Sequence, residues 1–327
     1  MREIFLFYVS FLLYSSYMSL FLGYRSAYEY WCHNDIRRHD TVSVAMPNTA
    51  SAPSNRELNK AKVLLPFLTL PIHTVVPTVD AKRNLVDLTC HVNDSLPLRS
   101  FARISHNLYV SIPEACYVQL ASQLSFVEIL MLGSELCGTY AQDQSSNHLI
   151  SRHPRTSKYH FEQYLDKLHR THGKSQALRA LKYICENSAS PMETKLTLLL
   201  CLPFKLGGYG LPYPKLNYPL YDTKFKPKKE LYRCDLCWPK LKLAIEYDSH
   251  QFHATNNKLA LDSRRRIAIE QYGLHVISVT KQQVYSDIAF SELAKVISRY
   301  LGIRLRIRSY NFEQQRRKLR SELLLSV

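Results

Sequence analysis

Within KLKLAIEYDSHQFH, Lys240 to His253, two carboxylates end a run of apolar, strand-forming residues. Leu241, Leu243, Ala244 and Ile245 lead directly into Glu246, Tyr247 and Asp248. Alternate side chains of a strand share a face, so Glu246 and Asp248 point the same way. Two like charges about 4 Å apart repel by roughly 4 kcal/mol at an effective dielectric near 20. A hard divalent cation relieves that repulsion, because magnesium takes oxygen ligands: one or two carboxylates, with waters and substrate phosphate. The same ion activates water and neutralises charge developing on a phosphodiester. Asp235 stands just before the Trp238-Pro239 turn, and a chain reversal near Lys240 brings it beside Glu246 and Asp248. His253 follows, then Asp262 with Arg265.

The elements that must position these groups are legible around them. SPMETKLTLLLCL opens a helix, with Ser190 as cap, Pro191 in the first turn and Glu193 at the third position. GGYGLP breaks the chain, and KLNYPLY, LYRCDLCWP and LKLAIEYD then read as three strands of an antiparallel meander. Asn257–Gly273 reads as a helix stopped by Gly273, Leu274–Thr280 as a strand, and QQVYSDIAFSELAKVISRYLG as a final helical stretch. The order is helix, three strands, helix, strand, helix. Upstream, Thr41–Asn55 reads as a loop, and Ile72–Val76, Leu85–Val92 and Asn107–Pro113 as strands. Glu114–Leu136 reads as two helices joined at a Ser125/Glu128 capping box. Gln142–Pro154 is loop-like, and helices are expected around Tyr159–Thr171 and Ser175–Asn187. This half carries no constellation to which chemistry is assigned.

The chain has 327 residues, enough for two domains, with 46% hydrophobic and 21% charged residues, the profile of a globular protein. Lys and Arg number 43 against 27 Asp and Glu, a formal +16 that attracts polyanions. Eight cysteines without framework spacing argue for free thiols in a reducing compartment. The close pair Cys234 and Cys237 has no second pair to complete a zinc site, and in a strand the two face opposite sides. Beyond the core, Arg304–Arg320 is strongly basic, and Arg316 and Arg320 share a helix face as expected phosphate contacts.

The segment CDLCWPKLKLAIEYDSHQFH, continued by LDSRRRIAIEQYGLHVISVT, resembles the very-short-patch-repair-like endonuclease domain of the PD-(D/E)XK superfamily. The likeness runs from about Ser190 to Leu301. It implies an α/β, restriction-endonuclease-like core and a Mg2+-dependent (or Mn2+-dependent) DNA endonuclease or nickase. Asp235 and Glu246 would be the principal metal ligands, Glu193 would complete the metal environment, and Asp248 takes the superfamily's third position. His253 would serve as general acid or base or orient a water, and Arg264, Arg265 and Arg266 would contact phosphates. Ser249 stands where the family has Gly, and no Lys occupies the third position; under the resemblance Lys281, past the next strand, would be the substitute. These departures support an alternative, a DNA-binding regulator of antitoxin or defence type with an inactive core. The amino-terminal half is loosely similar to regions fused to such domains in bacterial abortive-infection and antitoxin-like proteins.

Four segments result: an apolar stretch over 1–24, a mixed α+β domain over 25–188, the nuclease-like domain over 189–303 and a basic tail over 304–327. The uncharged run Ile4–Tyr24 is long enough to span a bilayer core. In the competing reading the functional chain starts at Met18, Leu20–Leu22 form an entry strand, and Ser26 with Glu29 makes a capping box. A cytoplasmic protein is expected in that case, and a membrane-anchored one in the other.

Overall fold

The computed structural model describes residues 19–36, 41–93, 95–105, 107–142, 149–222, 229–248, 267, 269–307 and 310–325. It is mixed α/β and divides into two compact units after Ile184. That boundary falls close to the expected one at 188.

The first unit is built on β1 (Leu20–Leu22), β2 (Val42–Val44), β3 (Ile72–Val76), β4 (Leu88–Val92), β5 (Phe101–Arg103) and β6 (Leu108–Ser111). They form one mixed sheet in the order β2-β5-β6-β1-β3-β4, with β1 parallel to β6 and β3 parallel to β4. Its helices are α1 (Tyr24–His33), α2 (Asn55–Leu64), α3 (Pro113–Ala121), α4 (Phe126–Leu136), α5 (Lys158–Asp166) and α6 (Lys174–Leu181). Leu20 and Leu22 are fully buried in a central strand, so the end of the apolar stretch Ile4–Tyr24 belongs to the folded sheet. Residues 4–18 lie outside the described residues. Among the described residues no helix is long and apolar enough to cross a membrane.

The Ser125/Glu128 box closes α4 as expected. The Ser26/Glu29 box does not form. α1 already begins at Tyr24, whose N–H is taken by Gln119 Oε1 at 2.9 Å. Ser26 Oγ accepts the His73 N–H instead, and Glu29 accepts the Thr69 N–H and the Arg25 Nε–H. The box pattern therefore lies inside the helix, where its side chains serve other elements. Thr41–Asn55 also holds more than a loop: β2 lies within it, and Ser54 caps α2 through a box with Glu57. β7 (Tyr140–Gln142) and β8 (Leu149–Ser151) pair as a hairpin where a loop was expected.

The second unit starts with α7 (Pro191–Cys201), capped by Ser190, whose side chain accepts the Glu193 N–H. β9 (Lys215–Asp222), β10 (Lys229–Trp238) and β11 (Leu243–Asp248) form the expected antiparallel meander. β12 (His275–Thr280) joins β11 in parallel, giving the order β12-β11-β10-β9. A parallel neighbour requires a crossover connection. Of that connection only its end is described: residues 267 and 269–271 are helical, and Gly273 stops them at a φ of +72°. The final helical stretch is two helices, α8 (Lys281–Tyr285) and α9 (Asp287–Tyr300), broken at Ser286, which caps α9.

The segment after 303 is not a free tail. Its helix α10 (Phe312–Leu324) buries Phe312, Arg316, Leu319, Arg320 and Leu323. Phe312 packs edge-on against Phe204 and Tyr209, with ring centroids 5.6 and 5.7 Å away.

Candidate active site

An irregular step in the β9/β10 pairing surrounds Asp235. The β9/β10 register pairs Cys234 with Tyr218 and Leu236 with Leu216, which leaves Asp235 opposite Asn217. Asn217 adopts a φ of +48°, a left-handed conformation that asparagine tolerates better than most residues. Strand alternation is lost there. Cys234 and Cys237, three apart, both enter the cluster of Leu220, Ala244, Ile269, Leu274 and Val276. The expectation that these cysteines face opposite sides is thus overturned, because the strand between them is irregular. The Cys237 thiol is hydrogen-bonded to that of Cys234, which lowers its pKa against the opposing effects of burial and of Glu246.

The β10/β11 ladder runs from Trp238↔Leu243 to Leu236↔Ile245. One step further the Asp235 side chain enters the ladder, and Oδ2 accepts the Tyr247 N–H at 2.7 Å. Glu246 Oε1 in turn accepts the Asp235 N–H at 3.4 Å. The two acids are therefore direct cross-strand neighbours, each tied to the other's strand. Both are partly buried, whereas Asp248 is exposed at the strand end. β12 sets Ser278 beside Glu246 and Thr280 beside Asp248. Ser278 was not anticipated; its signal is the register of a parallel pair, which no local spacing reveals. Lys281 follows Thr280, exposed, with Nζ 5.5 Å from the Tyr285 ring centroid. Burial, with Tyr285 and Asp248 nearby, raises the Tyr247 pKa.

Two oxygen donors on adjoining strands suit a hard cation such as Mg2+, which completes its shell with waters and phosphate. Among the described residues, however, no group of three His, Cys, Asp or Glu comes close enough to hold a metal ion. Glu193 does not supply a third ligand: its Oε2 accepts the Ala189 N–H at 2.8 Å and its Oε1 the Ser190 hydroxyl at 2.9 Å. Its carboxylate serves the start of α7, where the helix's free N–H groups and dipole favour an anion.

The phosphate role expected for Arg316 and Arg320 is overturned as well. Both are buried, and both pair with Asp287, Arg316 through two hydrogen bonds of 2.5 and 2.8 Å. Arg316 also bonds Glu313 and Ser291, and Arg320 bonds the carbonyls of Val284 and Tyr285. The shared helix face was read correctly, but it turns inward. His253, Ser249, Asp262, Arg264, Arg265 and Arg266 lie outside the described residues.

The first unit holds a titratable cluster to which the sequence reading gives no chemistry. His73 Nδ1 and His91 Nε2 lie 2.8 Å apart on the parallel pair β3/β4. The ring of Tyr24, a residue held at a φ of +50°, stacks on His91 at 3.7 Å. Burial, with His73 and Lys82, lowers His91 to a pKa of about 4, and burial lowers His73. Two histidines 18 residues apart on separate strands leave no local pattern to find.

No family model matches the chain, and no solved structure matches it. Uncharacterized proteins of Mycobacterium tuberculosis, one from strain CDC 1551 / Oshkosh and one from strain ATCC 25618 / H37Rv, are each 27% identical to it over 125 residues. The match covers 38% of this chain and 42% of each of those proteins, less than half the length of these curated relatives.

Proposed function

We propose that the second unit is a metal-dependent DNA endonuclease or nickase of restriction-endonuclease-like build, active at Asp235 and Glu246. The observation that carries this reading is the Asp235 carboxylate, turned out of its own strand to sit beside Glu246. On a plain solvated strand face, an acid's side chain would not take a backbone N–H of the neighbouring strand's ladder. Mg2+ bound between these carboxylates would supply charge neutralisation at the phosphate and an activated water. The chain's own part is preorganisation. The Tyr247 N–H fixes Oδ2 of Asp235, while the Asp235 N–H orients Glu246. Asp248, exposed on the same face, adds negative charge at the rim. The resemblance over Ser190–Leu301 and the net charge of +16 support DNA as the substrate.

Plasmid nicking with Mg2+ or Mn2+ tests this. Asp235→Ala and Glu246→Ala are each expected to reduce metal-dependent nicking by at least about a hundredfold with the melting curve preserved. Full activity in either variant overturns the assignment.

A second reading is a DNA-binding regulator with a silent core. It is favoured by the want of a third clustered ligand among the described residues and of a Lys at position 248. Binding to DNA without nicking in either metal selects it.

A further inference from the structure

We propose that the end of the second unit's sheet opposite Asp248 is a docking surface for single-stranded nucleic acid, with Tyr300 and His275 stacking a base and Lys242 and Arg299 holding the backbone. The proposal rests on reading the partner as nucleic acid, not on the chain hydrolysing it.

β11 and β12 both begin at this end, where the His275 N–H donates to the Lys242 carbonyl at 2.8 Å. The His275 ring lies against that of Tyr300, the last residue of α9, at 4.3 Å and 18°. Packed aromatic pairs belong in a core, yet this one is on the surface: His275 is exposed and half of Tyr300 is open to water. Lys242, whose carbonyl takes the His275 N–H, and Arg299, which precedes Tyr300, are exposed; so are Lys240, two residues before Lys242, and Arg304 and Arg306 in the chain leaving α9. None of these five cations has an ion-pair partner among the described residues. Of the acids on α9, Asp287 is taken by Arg316 and Arg320, and Glu292 lies two turns from Tyr300.

Flat ring surface beside unpaired cations is the chemistry that binds an unstacked base and its phosphates. A duplex offers the phosphates but keeps its base faces covered, so the aromatic pair argues for a single strand. Glu246 lies three residues along β11 from Leu243, about 10 Å at the usual strand rise, so one strand reaches both places.

Fluorescence anisotropy of the full chain with labelled oligothymidylate, the matching duplex and heparin decides the matter. Tyr300→Ala is expected to weaken oligothymidylate binding at least about fivefold, with heparin unchanged and Tyr300→Phe restoring affinity. Lys242→Glu with Arg299→Glu should weaken both ligands and flatten the salt dependence. Unchanged oligothymidylate binding in Tyr300→Ala, or an equal loss on heparin, which has no bases, overturns the proposal. A preference for duplex that Tyr300→Ala leaves intact does so too. Circular dichroism checks the fold, and His275→Ala repeats the test should Tyr300→Ala melt early. Wild-type binding through Tyr300 without nicking sinks the hydrolase reading alone, whereas nicking with a silent Tyr300 sinks this one alone.

Discussion

Burial holds the His91 imidazole at a pKa of about 4, with His73 and Lys82 acting in the same direction. In an unfolded chain the same group titrates near 6.5. Between those values the unfolded state binds a proton that the folded state does not, so stability is full above the unfolded value and falls as pH drops toward 4. His91→Gln should flatten that acid slope and leave the neutral melting temperature nearly unchanged, as thermal melts across a pH series will read. Melts that follow wild type at every pH would remove His91 from this role. Arg316 allows a second check. Its guanidinium is 9% exposed but its partner Asp287 is 42% exposed, so water screens part of the pairing. Arg316→Ala is expected to cost about 2 kcal/mol by urea titration, below the roughly 3–5 kcal/mol for breaking a fully buried pair. A change under about 0.5 kcal/mol, the range of ordinary surface substitutions, would mean the network holds nothing together.

At the level of elements, two glycines separate conformational strain from crowding. Gly273 has a φ of +72° and, among the described residues, nothing within 4 Å of an added Cβ, so Gly273→Ala should cost about 1 kcal/mol from backbone strain. Gly207, at +91°, lies against α10, and a Cβ there would sit 2.4 Å from the Gln315 carbonyl oxygen. Gly207→Ala should therefore cost clearly more, and equal losses in chemical denaturation would show that α10 does not press on this turn. Elements governed by local chemistry were legible: Ile72–Val76 appears with the expected ends, and the caps at Ser125 and Ser190 form. Those governed by distant partners were not. Ser26 and Glu29 have the right types and spacing for a box, but Gln119, 95 residues away, meets the Tyr24 N–H and starts the helix earlier. Leu216, Tyr218 and Leu220 alternate as one face of a flat strand, yet only Tyr218 and Leu220 join the cluster around Ala244. Nothing in KLNYPLY announces the turn of Asn217. The site was legible as a pairing of Asp235 with Glu246, since a reversal near Lys240 fixes that register. The burial of Arg316 and Arg320 was not, because a basic helix reads the same whether its cations meet phosphate or Asp287.

For the molecule as a whole, the division after Ile184 predicts that a fragment spanning 185–327 unfolds in one cooperative transition of its own. A fragment without such a transition would show that the second unit depends on the first. The surplus of 16 positive charges predicts nucleic-acid affinity that falls steeply with salt, losing close to one unit of log–log slope per phosphate contacted. Because Arg316 and Arg320 are engaged with Asp287, Arg316→Ala should leave that slope unaltered once folding is accounted for, whereas charge reversal at Lys242 should reduce it.

The left-handed backbone of Asn217 has a further consequence for anyone mutating this chain. Asn217 is uncharged, yet it stands opposite Asp235 in the β9/β10 pairing, so its backbone bears on where that carboxylate points. A β-branched side chain there resists positive φ, so Asn217→Val should flatten both strands and swing Asp235 aside with its chemistry intact. Sabotage would then come from a position that any survey of acids, bases and cations passes over.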